Sequence, residues 1–453
     1  MEFVIISVFA IGYFLIAFEH QIKVNKTATA ILTAVICWTL LILSSPTEAI
    51  LSGKHYSIFV SLHELENGNA TEPAFSEFIL HELGKHLGSV SQILFFLMGA
   101  MTIVELIDSH NGFKIITDRI RTRNPKTLMW IVCWVTFFLS AVLDNLTTTI
   151  VMVSLIRKLV PNREIRLLFI GMIIIAANAG GAWTPMGDVT TTMLWIGGQI
   201  TAFTVIKSLI LPSLACMLVP LIYLSFRMKG DLGFSETQSP GDDNNKVSGG
   251  PLMLVLGLGI MLGVPVFKVL THLPPYIGMM AGLGILWVVS ELRHPDMDDA
   301  LKKEYTAAGA LSRIDVPSIL FFLGILLAVG CLESMMTLHR FSGVLSDNIG
   351  DQRIIIFLIG ILSAIIDNVP LVAATMGMYD LSVFPADHAV WLFLAYCAGT
   401  GGSILIIGSA AGVAAMGMEK VDFIWYLKKI SWLALIAYIG GAIVYLAQIK
   451  FKI

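Results

Sequence analysis

Two Asp-Asn pairs interrupt stretches of sequence that are otherwise almost entirely apolar. Asp144-Asn145 lies within SAVLDNLTTTI, and Asp367-Asn368 lies within SAIIDNVPLVA. The first pair is followed by three threonines, so carboxylate, amide and hydroxyl oxygens occur side by side. Oxygens of these kinds are the ligands that hard cations prefer in proteins. Because ionisable groups in apolar surroundings are costly and usually functional, both pairs are candidate cation-binding sites.

Apolar stretches recur along all 453 residues, of which 56% are hydrophobic and 13% charged. A soluble globular chain carries about 25% charged residues. Several stretches, such as 204–226 and 252–269, approach the roughly 20 residues that a helix needs to cross a bilayer. The alternation typical of a membrane barrel is absent. The sequence therefore predicts an all-α polytopic membrane protein in a lipid bilayer, and no nucleic-acid partner is expected.

Loop charges predict that the first Asp-Asn pair lies at the tip of a re-entrant hairpin. Lys and Arg concentrate in short cytoplasmic loops, and both 112–126 and 157–166 are basic. A single crossing between them would place one of these loops outside. We therefore expect hairpin 127–157 to enter from the cytoplasm and return. Non-helical backbone at that depth is tolerated where it is buried in protein or lines a wet cavity.

The second pair is expected at the tip of a hairpin of opposite orientation. The linker 227–250 and the loop 291–313 carry Lys and Arg and are assigned to the cytoplasm. Counting helices forward then places 337–352 outside. The return loop 379–388 contains two Asp and no Lys or Arg. Hairpin 353–378 is therefore expected to enter from the external side.

Further motifs recur in the same order, which indicates an internal repeat. ILFFLMGAMTIVE (93–105) resembles ILFFLGILLAVGCLE (319–333), and the Gly-Gly pair of 176–188 has a counterpart in 396–409. Two copies of opposite orientation form an inverted-topology repeat, which is typical of transporters that bind substrate between interrupted helices. Adjacent glycines favour such interruptions, although small residues also serve close helix packing.

These patterns predict the following organisation of the chain. The parts are 1–88, N-terminal helices and an external polar segment (scaffold); 89–226, repeat one, with hairpin 127–157 and broken helix 167–196; 227–250, a cytoplasmic linker; 251–315, scaffold helices and a cytoplasmic loop; and 316–453, repeat two, with hairpin 353–378 and broken helix 389–418.

The charged residues expected at membrane depth are all carboxylates. They are Asp144 and Asp367 at the tips and Asp188 at the first Gly-Gly pair, with Glu105 and Glu333 nearer helix ends as proton carriers or structural groups. The same segments contain no Lys or Arg, which points to a cationic substrate. Supporting oxygens are expected from Asn145, Thr147, Thr148, Asn178, Asn368, Thr400 and Ser403. The expected Na⁺ ligands among all these residues are Asp144, Asn145, Asp367 and Asn368.

An Asp that precedes a helix can also serve only as its N-cap. If the tip carboxylates are functional, they can hold a proton or a metal cation but not both, because desolvation disfavours the charged carboxylate. This competition, combined with alternating exposure to the two sides, suffices for Na⁺/H⁺ exchange.

The alternatives to exchange are a Na⁺- or H⁺-coupled carrier of dicarboxylates or oxyanions, a channel, and an intramembrane enzyme. The enzyme would need a nucleophile–base pair within the helices, and none is found.

On these residues the chain resembles the ion transporter superfamily, and most closely its NhaD-type Na⁺/H⁺ antiporters. The likeness covers the ILFFL-led helices, both Asp-Asn tips and both Gly-Gly pairs. The superfamily's dicarboxylate branch carries Ser-Asn-Thr at tips and breaks, and here Asp144 and Asp367 occupy the Ser positions. Carboxylates there would repel a dicarboxylate. The second tip departs from the first, since Val369-Pro370 stands where the first has threonines.

The resemblance implies secondary active exchange of cytoplasmic Na⁺, with Li⁺ as a further candidate, for external protons by alternating access. It also implies a scaffold domain around a moving transport domain and a homodimer formed through the scaffold. No cofactor is expected, and the bacterial inner membrane is the expected location.

Overall fold

The computed structural model describes residues 1–17, 19–51, 56–61, 75–120, 122, 124–228, 249–293 and 305–451. Most of the linker predicted at 227–250 lies outside the described residues, as does the middle of the basic loop at 291–313. The described residues form α-helices joined by turns and short irregular segments, and none of them lies in a β-strand.

Helices whose two ends both fall among the described residues occur on either side of the linker. Before the linker they are α1 (Glu2–Ala17), α2 (Glu19–Ile22), α3 (Lys26–Ile42), α4 (Glu48–Leu51), α5 (Phe75–Ser109), α6 (Lys114–Thr117), α7 (Pro125–Ser140), α8 (Asn145–Leu159), α9 (Arg163–Ala182), α10 (Val189–Ile196) and α11 (Ala202–Arg227). After the linker they are α12 (Gly250–Thr271), α13 (Pro275–Arg293), α14 (Ala307–Leu311), α15 (Val316–Ser334), α16 (Thr337–Ile349), α17 (Gln352–Leu362), α18 (Asn368–Met378), α19 (Ala389–Gly401), α20 (Ala410–Glu419), α21 (Phe423–Lys429) and α22 (Ser431–Phe451).

Seven of the described helices are long and apolar enough to cross a bilayer by length and composition. They are α5, α9, α11, α12, α13, α15 and α22. The prediction of an all-helical, multi-pass membrane protein is confirmed at this level. Around the two Asp-Asn pairs, the apolar helices α7, α17 and α18 are shorter than 18 residues.

The chain divides into two compact units. The first consists of Met1–Leu94, Asp315–Ile355 and Val369–Pro385, and the second of Phe95–Ile314, Ile356–Asn368 and Ala386–Ile453. In the first unit, α3 packs against α1 and α15. In the second unit, α9 contacts α7, α8, α11, α19 and α20, and nearly all of its last three turns is buried. Helix α9 is therefore the core helix of the second unit.

Helix starts in the second unit follow capping signals in the sequence. Asn124 precedes Pro125 at the start of α7 and accepts a hydrogen bond from the Lys126 N–H. Asn162 accepts from the Glu164 and Ile165 N–H groups at the start of α9. Such caps satisfy N–H groups that the first turn of a helix leaves unpaired. They fix where α7 and α9 begin, and hence where the chain turns on either side of the first Asp-Asn pair.

Candidate functional site

The first Asp-Asn pair lies in the turn that joins α7 to α8. Asp144 is the N-cap of α8, and its two carboxylate oxygens accept from the Thr147 N–H at 2.6 Å and the Thr147 hydroxyl at 2.9 Å. The capping role that the sequence allowed is therefore present. Capping leaves some of the acceptor positions of Asp144 unused, because a carboxylate has about four of them. The side chain also stays partly exposed.

Hydroxyl groups join each Asp-Asn turn to a neighbouring helix in an equivalent way. Ser140 donates to the Ala177 carbonyl of α9 at 2.6 Å, and Ser363 donates to the Ala398 carbonyl of α19 at 3.1 Å. The two serines begin the repeated SAVLDN and SAIIDN motifs. Both copies of the motif therefore make the same contact.

Two helical paths are interrupted near these turns. Helix α9 ends before the segment 183–188 and α10 follows it, whereas α19 ends before 402–409 and α20 follows it. In the first copy the Gly-Gly pair belongs to the last turn of α9. In the second copy Gly401 is the last residue of α19. The interruption thus follows the first glycine pair rather than occurring at it.

The glycines serve close approach of backbones, which was the alternative reading of the Gly-Gly pairs. A Cβ on Gly187 would lie 2.6 Å from the Ser140 carbonyl oxygen, and one on Gly408 would lie 2.5 Å from the Ala364 carbonyl oxygen. A Cβ on Gly180 would overlap the carbonyl group of Phe137. Only glycine allows the segments around the two Asp-Asn pairs to pack this closely against the interrupted helices.

The side-chain amide of Asn178 connects the two halves of the sequence at the site. It accepts from the Asn145 amide at 2.9 Å and donates to the hydroxyl groups of Ser403 at 2.8 Å and Ser409 at 2.9 Å. All four residues are buried. Three of them were predicted site residues, whereas Ser409 was not. The repeated segments 176–188 and 396–409 end at Asp188 and Ser409, and this correspondence was the signal that could have identified Ser409.

Asp188 is the third predicted aspartate, and it is 2% exposed. It caps α10, accepting from the Thr190 N–H at 3.4 Å, and its other oxygen accepts from the Asn368 amide at 3.2 Å. Electrostatic repulsion from Asp367 and Asp144 reaches its carboxylate. The fold therefore brings Asp188 within electrostatic range of both tip aspartates.

The threonines at the site differ in whether their hydroxyl groups have a hydrogen-bond partner among the described residues. Thr147 bonds to Asp144, and Thr400 donates to the Tyr396 carbonyl of its own helix at 2.7 Å. Thr148 and Thr149 are fully buried, and neither hydroxyl has a hydrogen-bond partner among the described residues. An unpaired buried hydroxyl costs about 1–3 kcal/mol. A bound cation would supply the missing partner.

The two predicted glutamates lie outside this constellation. The Glu105 carboxylate forms an ion pair with Arg313, with 2.5 Å between Oε1 and Nε. Glu333 belongs to the first unit, where its carboxylate lies beside Gly377. Glu105 thus has a structural partner, which the sequence had left open.

Within the described part of the chain, no three His, Cys, Asp or Glu side chains are arranged to hold a metal ion by themselves. A cation at this site would need amide, hydroxyl or backbone oxygens in addition to carboxylates. Those oxygens are present in Asn145, Thr148 and Asn368, together with the carbonyls of the interrupted segments.

Comparison with known proteins identifies the family. Residues 13–399 match the family model described as "Citrate transporter". The chain is 49% identical to "Sodium/proton antiporter 1" of Arabidopsis thaliana, over 97% of this chain and 71% of that protein. It is 45% identical to "Sodium/proton antiporter 2" of the same plant, over 98% of this chain and 99% of that protein.

A bacterial relative is named as an antiporter of the same two ions as the plant relatives. The chain is 32% identical to "Na(+)/H(+) antiporter NhaD" of Vibrio cholerae, over 93% of this chain and 86% of that protein. The resemblance inferred from the Asp-Asn tips and Gly-Gly pairs is therefore confirmed. The chain belongs to the citrate transporter family and, within it, to the NhaD-type Na⁺/H⁺ antiporters.

Proposed function

We propose that this protein exchanges Na⁺ for H⁺ across a membrane. The observation that carries the proposal is the grouping of Asp144, Asp188 and Asp367 in one compact unit. The four segments that form the site, 141–153, 176–196, 360–368 and 389–418, contain no Lys or Arg. Segments that carry three carboxylates and no Lys or Arg favour a cation or protons as the ligand, and the names of the relatives agree with both.

In the proposed mechanism, Na⁺ and protons compete for the same carboxylates. Asp144 and Asp367 alternate between a protonated form and a Na⁺-bound form, because an uncompensated charge at this depth is costly. Asn145, Asn368, Asn178, Thr147, Thr148, Thr400 and Ser403 are proposed as supporting oxygens, with Asp188 as a third carboxylate. No cofactor takes part, and Li⁺ is proposed as a second transported ion.

We propose alternating access by an inverted-topology repeat with two re-entrant hairpins. Support comes from the shortness of α7, α17 and α18, and from the equivalent contacts of Ser140 and Ser363. The transport domain would move against a scaffold, and a homodimer would form through that scaffold. The location is proposed to be a bacterial inner membrane, although relatives with higher identity come from a plant.

The family description favours one rival, a cation-coupled carrier of citrate or another carboxylated anion. Such an anion would have to bind next to Asp144, Asp188 and Asp367. At about 4 Å, two like charges repel by about 4 kcal/mol at an effective dielectric constant of 20. The carboxylates therefore favour exchange over anion uptake.

The test uses purified protein in vesicles containing a pH-sensitive dye. Addition of Na⁺ should cause proton movement with the wild type, and Asp144→Asn or Asp367→Asn should abolish it. Asp422→Asn is the control, since Asp422 is an exposed N-cap and Asn caps a helix equally well. Persistent exchange in both tip variants would contradict the proposal, and Na⁺-dependent uptake of labelled citrate would support the rival.

A further inference from the structure

Glu419 is a buried carboxylate that forms ion pairs with two arginines away from the proposed cation site. Its side chain is 3% exposed, and its two oxygens lie 2.5 Å from Arg157 Nε and 2.9 Å from Arg166 Nε. Arg157 and Arg166 belong to the first half of the sequence, whereas Glu419 belongs to the second. We call these three residues the Glu419 cluster.

The Glu419 cluster joins the far ends of two helices whose near ends form the site. Helix α8 runs from its cap Asp144 to Arg157 near its end, and α20 runs from its cap Ser409 to its last residue, Glu419. The two helices pack against each other. Since α20 has 10 residues, the cluster lies about 15 Å from the site along that helix.

Backbone contacts extend the cluster on both sides. Arg157 also donates to the Met418 carbonyl. Arg166 donates to the carbonyls of Val160 and Pro161 at 2.9 and 3.1 Å, in the connection between α8 and α9. The cluster therefore fixes α20 to α8 and also to the start of α9.

The relative position of α8 and α20 decides whether the amide network at the site can form. Asn145 at the start of α8 donates to Asn178, and Asn178 donates to Ser409, which caps α20. A shift of α20 along α8 would lengthen the second of these bonds. The geometry of the amide network therefore depends on the contacts that hold α8 and α20 in register.

We propose that Glu419 is a positioning residue for cation binding, which acts by holding α8 and α20 in register through Arg157 and Arg166. This inference rests on the proposed Na⁺/H⁺ exchange. Among the described residues, the buried Glu419 carboxylate forms its ion pairs with Arg157 and Arg166 and not with a predicted site residue, so its loss should weaken Na⁺ binding more than it slows turnover. Groups that hydrogen-bond directly to metal ligands typically contribute about 10- to 100-fold in affinity or activity. Glu419 acts one step further away, through α8 and α20, so we expect an effect at the lower end of that range.

The experiment measures Na⁺-evoked proton movement as a function of Na⁺ concentration in vesicles. We expect Glu419→Gln and Arg166→Gln to raise the apparent KM for Na⁺ about tenfold, with kcat changed less than about twofold. Arg166→Lys, which keeps the charge, should restore much of the affinity. The control is Arg163→Gln, since Arg163 is the first residue of α9 but is exposed, and among the described residues its side chain donates to the Lys420 carbonyl at 3.4 Å.

The results distinguish a failure of the role proposed for Glu419 from a failure of the proposed exchange. An unchanged KM, or a fall in kcat as large as the rise in KM, would overturn the inference while leaving the proposed function intact. Absence of exchange in the wild type would contradict the proposed function and this inference together. If Glu419→Gln does not fold, the milder Arg157→Gln decides, because more than half of the Arg157 side chain is exposed.

Discussion

At the scale of single residues, capping and cation binding are compatible in the same aspartates. Asp144 and Asp188 cap α8 and α10, and Ser409 caps α20. The N-terminus of a helix carries a partial positive charge, which favours a carboxylate beside it. The N-terminus of each helix thus offsets part of the cost of ionising its Asp, and the carboxylate keeps acceptor positions that the cap does not use. The N-cap is therefore part of the explanation for a carboxylate at this depth rather than an alternative to it.

Thr148 offers a test of the cation site that does not change its charge. We predict that Thr148→Val raises the apparent KM for Na⁺ about tenfold, since it removes a buried hydroxyl that a cation would use. Because that hydroxyl has no partner among the described residues, thermal stability in detergent should be unchanged or increased. Both quantities are measured on the same purified protein.

Thr136→Val is the matched control for this prediction. Thr136 is equally buried on α7, but its hydroxyl donates to the Val132 carbonyl at 2.7 Å. Its loss should cost about 1 kcal/mol of stability and leave the KM for Na⁺ unchanged. The reverse pattern, with a lower stability but normal KM for Thr148→Val, would show that the Thr148 hydroxyl supports folding only.

At the scale of helices, the site is an arrangement of N-termini. Helices α8 and α20 begin within the hydrogen-bond network around Asn178, and α10 and α18 begin at the hydrogen bond between Asp188 and Asn368. Helix N-termini alone attract anions, and such a framework would suit the citrate that the family description names. Asp144 and Asp188 reverse the charge at two of these N-termini. The same helices can therefore serve anion or cation transport, depending on the capping residue.

Helix packing at the site makes a prediction about glycine. A Cβ on Gly180 would overlap the Phe137 carbonyl, and a Cβ on Gly401 would overlap the Gly360 carbonyl. Backbone cannot move aside as a flexible side chain can. We predict that Gly180→Ala and Gly401→Ala each cost about 1–3 kcal/mol or more, which is measured as a lower midpoint of thermal aggregation in detergent.

Gly259→Ala and Gly284→Ala are the controls for the glycine variants. Both glycines lie within helices, and a Cβ on either would meet no atom within 4 Å. Alanine at such positions should stabilise the helix by about 0.5–1 kcal/mol. Equal behaviour of all four variants would mean that the close backbone contacts do not limit stability.

At the scale of the whole molecule, much of the organisation could be predicted from the sequence. The apolar lengths predicted a polytopic helical protein, and the repeated motifs predicted paired turns and paired helix interruptions. Three of the four residues in the network around Asn178 were predicted as site residues, but their hydrogen bonds could not be, because Ser403 and Ser409 are distant from Asn178 in sequence and become its neighbours only through packing. The Glu419 cluster was missed for the same reason, since its charges looked like ordinary loop residues.

Orientation in the membrane is the whole-molecule property on which the repeat hypothesis depends. The five native cysteines are free and buried, so single exposed cysteines can be labelled against a low background. Lys126 and Lys158 are exposed at the two ends of the first proposed hairpin, and Ser382 is exposed after the second. We predict that Lys126→Cys and Lys158→Cys react with an impermeant maleimide only after permeabilisation, whereas Ser382→Cys reacts in intact cells.

The physical reason is that two basic loops cannot flank a single crossing without placing positive charge outside. Two helices of 16 and 15 residues that meet at Asp144 can instead enter and return on one side. Labelling of Lys126→Cys and Lys158→Cys from opposite sides would contradict the hairpin. Labelling of Ser382→Cys from the same side as both would leave the hairpin but exclude inversion of the repeat. In that case Asp144 and Asp367 could not approach one site from opposite faces of the membrane.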